Sequence, residues 1–343
     1  MKVRPRPMLA YLGNPVNSSN NRARIVFVFL WAALLACAST AASAQAYPGR
    51  PIHIIAPFPA GGGYDFLSRL IGQEMSRTFG QPVIVENKSG ANGNIGTDFV
   101  AKAPADGYTL LMGGNSPISL NVSLYPKLPY DPVKDFEAVS RVAMQPNLFA
   151  AHPKVPVKSV AELIQLARAN PGKLTYASNG NGSPQHLAAE QLKQMAGIDL
   201  VHVPYKGAAP TAAALLAGEV SVAFNVILLP LPHVQSGKLT GLAVASSKRS
   251  PLAPDIPTLT ELGYPIDIDT WYGLLAPAGT PRDVIAKLNS EVIRILNSRD
   301  IRDRTRSQGI ELGGSTPEEF AAFIRADIAK WGNVIREARI TID

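Results

Sequence analysis

The stretch from residue 52 to residue 70, IHIIAPFPAGGGYDFLSRL, decides how the chain begins to fold. The β-branched residues at 52–55 are typical of a buried strand, and an apolar stripe with helical spacing begins at Leu67. Between them, the Pro/Gly turn at 60–63 allows backbone conformations that side chains forbid. The stretch therefore predicts a strand, a tight turn and a helix in immediate succession.

A turn of this kind suits an anion as well as a structural role. The amides of the first helical turn have no partner within the helix, and the helix dipole is positive at that end. A purely structural turn is the alternative, because one glycine-rich loop does not distinguish the two. No lysine follows the turn as in a P-loop, and the glycines lack the GxGxxG spacing, so nucleotide binding is disfavoured.

The first 44 residues predict a secretory signal peptide. They hold five basic residues and no acidic one, then an uncharged apolar region at 25–38, then Ala42-Ser43-Ala44. This order is typical of a leader that is cleaved after Ala44. A membrane anchor is the alternative, but it needs about 20 strongly apolar residues. The sequence LLAC, which ends at Cys37, also resembles a lipoprotein processing site, and a lipid anchor at Cys37 stays open as a second interpretation.

Removal of the leader changes the charge balance. It leaves 28 basic and 26 acidic residues, a net charge of +2 over the remaining 299 of 343 residues. A nucleic-acid binder is expected to keep a basic face in its mature part, so that class is excluded. Cys37 is the only cysteine, and the mature part is therefore expected to have no disulfide and no cysteine-type zinc site.

Strand-like and helix-like segments alternate through the rest of the chain, which is typical of an α/β fold with parallel strands. The mature length exceeds the usual size of a single core, so two domains are expected. The predicted strands lie at 52–56, 83–86, 109–113, 148–152, 174–178, 200–204, 220–225, 239–246 and 271–277.

Several predicted helices have recognisable starts. The segments SVAE at 159–162 and TPEE at 316–319 have capping-box form, in which a hydroxyl and a carboxylate satisfy the first free amides. In the closing helix, apolar residues recur every three or four positions from 320 to 335. This spacing buries one face of that helix and places Trp331 in the core.

Glycine-bearing turns follow four of the predicted strands, at 60–63, 113–116, 178–183 and 204–207. The carboxyl ends of parallel strands meet at one edge of a sheet, and α/β proteins bind their ligands beyond that edge. Four such loops on one rim predict a ligand site.

Constellations for catalysis or metal binding are scarce. Ser183 lacks the Gly-x-Ser-x-Gly elbow and fits a helix N-cap better than a nucleophile. His186 and Glu190 are one helical turn apart without a third ligand nearby, and His202 is interpreted as a core or rim histidine. Asp65 lies in the first turn of a helix, where any carboxylate is favoured. Its functional alternative is a partner for a cationic ligand group or for a water.

Taken together, these segments resemble the Bug-type, or tripartite tricarboxylate transporter, family of periplasmic solute receptors. The resemblance spans about 47–340 and rests on the succession of several blocks in the family's order, each of them weak alone. The blocks are YPGRPI from Tyr47, PFPAGGGYD from Pro57, GQPVIVENKSGANGNIG from Gly80, DGYTLL from Asp106, LPYDPVKDF from Leu128, YASNGNGSPQHLAAE from Tyr176, HVPYKGAAP from His202 and WYGLLAPAGTP from Trp271.

The resemblance implies a bilobal fold like that of type II periplasmic binding proteins, with two mixed-sheet α/β lobes around a ligand cleft. Lobe one would comprise 47–146 and 268–343, and lobe two 147–267. It implies a monomeric periplasmic receptor that holds a small carboxylate through backbone amides, hydroxyls and waters. The receptor would deliver this ligand to the permease subunits of a tripartite tricarboxylate-type transporter, or present it to a sensor kinase, without cofactor, metal or catalytic residue.

Carried over by position, the family's ligand-binding residues fall mostly on the four rim loops. They are Phe58, Pro59, Ala60, Gly61, Asp65, Asn115, Ser116, Ser178, Asn179, Gly180, Ser183, His186, Pro204, Tyr205 and Asn225.

Two positions depart from the family pattern. Members often have Thr-His where this chain has Pro117-Ile118, and an Asp where it has Asn225. A neutral amide supplies no Coulomb attraction for an ammonium group, so a ligand without an amino group is expected.

A secreted bilobal enzyme, a hydrolase or lyase acting on a small organic acid, is the alternative function. Catalysis needs groups with matched pKa values within reach of one another. The predicted rim offers one aspartate and one histidine on opposite lobes. The sequence therefore favours a receptor over an enzyme.

Overall fold

The computed structural model describes residues 47–306, 309–337 and 340–341. The predicted leader, its cleavage after Ala44 and the alternative anchor at Cys37 lie outside these residues. In chain order, strands β1 to β11 are Ile52–Ala56, Val83–Asn87, Thr109–Gly114, Phe136–Gln145, Asn147–Ala151, Thr175–Ser178, Val201–Pro204, Val222–Val226, Thr240–Val244, Thr270–Pro277 and Glu311–Leu312. Helices α1 to α10 are Gly63–Phe79, Asn94–Ala101, Asn121–Leu124, Val160–Ala169, Pro184–Ala196, Ala208–Ala217, Leu231–Gln235, Arg282–Leu296, Arg299–Arg306 and Pro317–Glu337.

The strands form two sheets. The first has six strands in the order β11-β4-β10-β3-β1-β2, and the second has five in the order β7-β6-β8-β5-β9. The chain passes from the first sheet to the second between β4 and β5, and it returns between β9 and β10. The lobe boundaries expected near 146 and 267 fall in these two connections and stay a prediction.

Both sheets are mixed. β1 pairs in parallel with β2 and β3, and β6 with β7 and β8, as the alternation of strands and helices predicts. β10 and β5, the strands next to the two connections, pair antiparallel with their neighbours. A parallel pair needs a crossover within its own sheet, whereas these two strands arrive directly from the other sheet.

Of the two predicted capping boxes, the one at Thr316 is complete, whereas at Ser159 the Glu162 carboxylate accepts the Lys158 amide and not the N-cap amide. The Ser159 hydroxyl accepts the Glu162 amide at 3.2 Å at the start of α4. At α10, the Thr316 hydroxyl accepts the Glu319 amide at 3.1 Å, and the Glu319 carboxylate accepts the Thr316 amide at 2.9 Å. Trp331 is 3% exposed, which confirms it as a core residue.

The part of the chain that the structure describes contains no helix both long and apolar enough to cross a membrane.

Candidate functional site

The four glycine-bearing loops meet at one pocket between the two sheets. It spans about 490 Å³ of space between the atoms, part of which is open to solvent. The strands β1, β3, β6 and β7 end at this pocket. In α/β proteins, the loops that follow the carboxyl ends of parallel strands form the ligand site. The lining residues are Phe58, Pro59, Ala60, Gly62, Gly63, Tyr64, Ser116, Asn179, Ser183, Pro184, Gln185, Lys206, Gly207, Ala208, Ala209, Pro210, Val226, Thr270 and Tyr272.

Three helices begin at this pocket. They are α1, α5 and α6, whose N-caps Gly62, Ser183 and Gly207 all line it. Gly62 and Gly207 provide no side-chain cap, while the Ser183 hydroxyl accepts the His186 amide at 3.2 Å. Free first-turn amides and the positive ends of the helix dipoles therefore converge from both sheets, and this arrangement favours a bound anion.

Glycine allows the two walls to approach closely. A Cβ placed on Gly62 would lie 3.9 Å from the Ala208 Cβ, and one on Gly207 would lie 3.4 Å from the Pro59 Cδ. Gly207 also has a φ of 109°, a conformation that side chains rarely adopt. The starts of α1 and α6 consequently face each other with only methyl-sized separation.

Aromatic rings form one side of the pocket. Phe58 stacks on Tyr64 with ring centroids 4.6 Å apart, and Tyr64 meets the edge of Tyr272 at 4.9 Å. The Tyr272 hydroxyl donates to the Gln145 Oε1 at 3.0 Å. Burial raises the pKa of Tyr64 and of Tyr272 well above the usual range. Both phenols therefore stay protonated at neutral pH and act as packing surfaces or hydrogen-bond donors, not as bases.

A second, larger compartment adjoins the pocket and shares Phe58, Pro59, Asn179 and Lys206 with it. Its other lining residues are Ser89, Gly90, Ala91, Asn92, Gly93, Tyr125, Gly180, Asn181, Pro204 and Tyr205. Lys206 is exposed, and it is the one charged side chain among the lining residues of either compartment.

The predicted site residues divide into two groups. Six of them line the pocket: Phe58, Pro59, Ala60, Ser116, Asn179 and Ser183. Three line the adjoining compartment only: Gly180, Pro204 and Tyr205. The others line neither compartment: Gly61, which is exposed, and Asp65, Asn115, Ser178, His186 and Asn225.

Asn115 holds the chain where it returns to the first sheet. Its Nδ2 donates to the Asp269 carbonyl at 3.0 Å, and its Oδ1 accepts the Trp271 amide at 2.8 Å. The side chain is 1% exposed. Both ends of its amide are thus committed to the connection between β9 and β10.

Ser178 and His186 support the loop at 178–183 from behind. The Ser178 hydroxyl lies 2.7 Å from the His202 Nε2, and the His186 Nδ1 accepts the Gly182 amide at 3.1 Å. The two imidazoles stack with centroids 4.2 Å apart. Burial lowers the pKa of His186 to about 4 and that of His202 to about 3. The stacked pair is therefore neutral at physiological pH, and His202 is the rim histidine expected from sequence.

Asp65 and Asn225 also have local partners. Asp65 accepts Arg69 Nε at 2.9 Å and the Gly61 amide at 3.2 Å. Burial alone would raise the pKa of Asp65, but these hydrogen bonds lower it. The Asn225 amide donates to the Ala208 carbonyl at 2.9 Å and accepts the Val226 amide at 2.8 Å. Asn225 thereby fixes the start of α6 from below.

Sequence reasoning did not find Gln185, Lys206, Thr270 and Tyr272, which line the pocket. Lys206 lies in the recognised block HVPYKGAAP, where glycine before an alanine-rich stretch is the signal of a further helix start. Gln185, Thr270 and Tyr272 come together only through the tertiary fold, and no local signal marks them. Among the described residues, no cluster of three His, Cys, Asp or Glu side chains could hold a metal ion.

Asp269, in the connection to β10, makes the stability of the protein dependent on pH. Burial raises the pKa of its carboxyl to about 6; a hydrogen bond from Ser246 opposes the rise and the charge of Asp267 adds to it. The folded state therefore holds this proton more tightly than the unfolded chain. Stability from this group is present below about pH 4 and is lost as the pH rises through about 6.

We expect Asp269→Asn to remove this dependence. Between pH 4 and pH 7, the wild type should lose about 2–3 kcal/mol of unfolding free energy relative to the variant. Urea unfolding across this pH range measures the difference. Asp255→Asn, the same change at an exposed position of the same connection, is the matched control. Parallel pH curves for the wild type and Asp269→Asn would contradict the prediction.

Comparison with known proteins identifies close similarity along most of the chain. The model of the family described as "Tripartite tricarboxylate transporter family receptor" matches residues 67–340. Protein BugT of Bordetella pertussis is 38% identical over 297 residues, which are 86% of this chain and 91% of that protein.

Two solved structures share the fold. Rpa4515 of R. palustris, determined with adipate, has a TM-score of 0.83 at 37% identity and covers 86% of this chain and 99% of its own. MatC (Rpa3494) from Rhodopseudomonas palustris, determined with bound malate, has a TM-score of 0.80 at 34% identity and covers 84% of this chain and 100% of its own. The bilobal α/β fold expected from sequence is confirmed. With the family model matched over 67–340, the chain belongs to the receptors of the tripartite tricarboxylate transporter family.

Proposed function

We propose that this receptor binds a small carboxylate in the pocket between its sheets and delivers it to the permease of a tripartite tricarboxylate-type transporter. The observation that carries the proposal is the convergence of three helix N-termini, those of α1, α5 and α6, on one pocket. Unpaired amides and aligned dipoles stabilise a carboxylate without an arginine. The adipate and malate in the two related structures support this ligand class.

We infer that the protein binds without catalysis. The titratable side chains that line the pocket are Tyr64, Tyr272 and Lys206. Both phenols have a raised pKa, so no acid and base of matched strength face each other there. Recovery of the ligand unchanged after incubation and release tests this; a converted product would favour the secreted hydrolase or lyase.

We propose that the protein acts in the periplasm as a monomer, after cleavage of the leader behind Ala44. An intact mass of the exported protein that begins at Gln45 would support the cleavage. A diacylglyceryl group on Cys37 would contradict it and favour the lipid anchor.

A tripartite transporter is the proposed recipient of the ligand, and loss of uptake in a strain without the receptor tests it. Uptake that persists while a transcriptional response to the ligand disappears would favour the sensor kinase.

The charge of Lys206, and the pairing of Asp65 with Arg69, indicate which carboxylates the pocket prefers. Asp65 is paired with Arg69, and position 225 carries a neutral amide. A ligand ammonium group would thus meet the Lys206 cation and no free carboxylate, which is costly in a closed cleft.

We expect the wild type to bind succinate about tenfold more tightly than aspartate, a difference of about 1.4 kcal/mol. Lys206→Ala should weaken succinate about three- to tenfold, with a smaller loss at high salt because the charge is exposed. Titration calorimetry at two salt concentrations measures both effects. Lys238→Ala removes the same charge from an exposed site outside the pocket lining and should leave both affinities unchanged. Tighter binding of aspartate than of succinate would contradict the prediction.

A further inference from the structure

The orientation of the Gln185 side-chain amide is determined by its neighbours. The Ile268 carbonyl can only accept a hydrogen bond, and the Asn147 side chain donates to it through Nδ2 at 2.6 Å. The Asn147 Oδ1 must therefore face the other way, toward Gln185. It accepts the Gln185 Nε2 there at 2.5 Å.

The Gln185 Oε1 is left as a hydrogen-bond acceptor for the pocket. Nε2 also donates to the Thr270 hydroxyl, at 3.3 Å, so the nitrogen is turned toward the two connections between the sheets. Gln185 is 2% exposed and lines the pocket. No described residue donates to its Oε1.

The adjoining compartment repeats this arrangement at Asn92. The Asn121 Nδ2 donates to the Asn92 carbonyl at 3.1 Å, so the Asn121 Oδ1 accepts the Asn92 Nδ2 at 2.9 Å. The Asn92 Oδ1 is then buried without a partner among the described residues, and so is the Oδ1 of Asn179, which lines both compartments. The cleft thus contains two buried amide oxygens without a donor among the described residues, those of Asn92 and Asn179, in addition to the Gln185 Oε1 that faces the pocket.

Buried acceptors without donors are costly, so a donor from a water or from a ligand is expected to complete them. A carboxylate cannot complete them, because it only accepts hydrogen bonds. An ammonium group could donate, but it would lie near the Lys206 cation in a pocket lined by no carboxylate. A neutral hydroxyl satisfies both conditions.

We propose that the receptor selects hydroxycarboxylates, with the ligand carboxylate at the helix N-termini and its hydroxyl donating to the Gln185 Oε1. This inference rests on the carboxylate-receptor function proposed above and adds a second recognition element to it. A site built to bond a hydroxyl rejects the analogue that lacks it, since its own buried polar group is then left unpaired.

Matched ligand pairs test the inference on the wild-type protein. Titration calorimetry compares malate with succinate and 2-hydroxyglutarate with glutarate, which differ only by the hydroxyl. We expect the hydroxylated member of at least one pair to bind about tenfold more tightly. Equal or weaker binding of both hydroxylated members overturns the inference. No binding of any of the four acids overturns the proposed function as well, so the two failures are distinct.

Substitution of Gln185 assigns the effect to this side chain. Gln185→Met keeps the length of the side chain and removes its amide. We expect the preference for the hydroxylated ligand to fall to about threefold or less. The affinity for succinate should change less than the affinity for malate. Gln194→Met, the same change at an exposed position of the same helix, should keep the full preference. A preference that survives in folded Gln185→Met overturns the role of Gln185. If Gln185→Met does not fold, the ligand pairs on the wild type decide the question alone.

Discussion

Gly63→Ala should destabilise the protein and abolish tight carboxylate binding, although alanine is the better helix former. A Cβ on Gly63 would lie 2.1 Å from the Tyr272 hydroxyl oxygen and 2.5 Å from its Cζ. Tyr272 is 1% exposed and hydrogen-bonded to Gln145, so it has no free space to move into except the pocket. Overpacking of this kind costs about 1–3 kcal/mol, whereas helix propensity alone would stabilise by up to about 1 kcal/mol.

We expect a net loss of about 2 kcal/mol of unfolding free energy and a loss of succinate affinity of about a hundredfold. Urea unfolding and titration calorimetry measure the two. Gly62→Ala is the matched control, because its Cβ would meet only the Ala208 methyl, at 3.9 Å, and its φ of −97° suits alanine. Its unfolding free energy should stay within about 0.5–1 kcal/mol of the wild type.

A double-mutant cycle with Tyr272→Ala separates the clash from other effects of the methyl group. Without the ring, Gly63→Ala should cost nothing further. A Gly63→Ala protein as stable as the wild type, or an equal cost in both backgrounds, would be evidence against the clash.

Asp327→Ala should cause a larger loss of stability than Gly63→Ala, about 3–5 kcal/mol. The Asp327 carboxylate accepts the indole N–H of Trp271 at 2.7 Å and that of Trp331 at 2.9 Å. Both indoles are at most 3% exposed. Alanine would leave two buried donors without partners, and each unsatisfied donor costs about 1–3 kcal/mol.

Asp327→Asn should lie between alanine and the wild type, since its amide offers one acceptor oxygen to two donors. Glu318→Ala is the control on the same helix; Glu318 is exposed, and its loss should change stability by no more than about 0.5 kcal/mol. Urea unfolding monitored by circular dichroism follows the three variants. Asp327→Ala within about 1 kcal/mol of the wild type would show that water reaches the two indoles.

Much of the fold can be predicted from local sequence patterns. The strand at 52–56, the turn at 60–63 and the helix after it are read directly from β-branched runs, glycines and apolar spacing. β4 was not predicted, because Glu137 and Arg141 interrupt its apolar run, and it lies in the sheet through antiparallel pairing with β10. β11 has only two residues, which is too short for a periodic signal.

The site divides in the same way between local and distant information. The cap at Ser183 follows from the residues beside it. The partners of Asn115 and Gln185 do not: Asn115 bonds to Asp269, 154 residues away, and Gln185 to Thr270, 85 residues away. A single sequence predicts the first kind of contact from propensity and spacing, and the second kind only once the sheets are assembled.

The shared partner of the two indoles makes the protein its own optical probe. Trp271 and Trp331 are the only tryptophans after Trp31, and both bond to the Asp327 carboxylate. Trp331 lies one helical turn from Asp327 on the same helix, α10. Trp271 follows Thr270 and precedes Tyr272, both of which line the pocket. A shift of β10 on ligand binding would therefore change the Trp271 hydrogen bond, and tryptophan emission would report ligand titrations without a label.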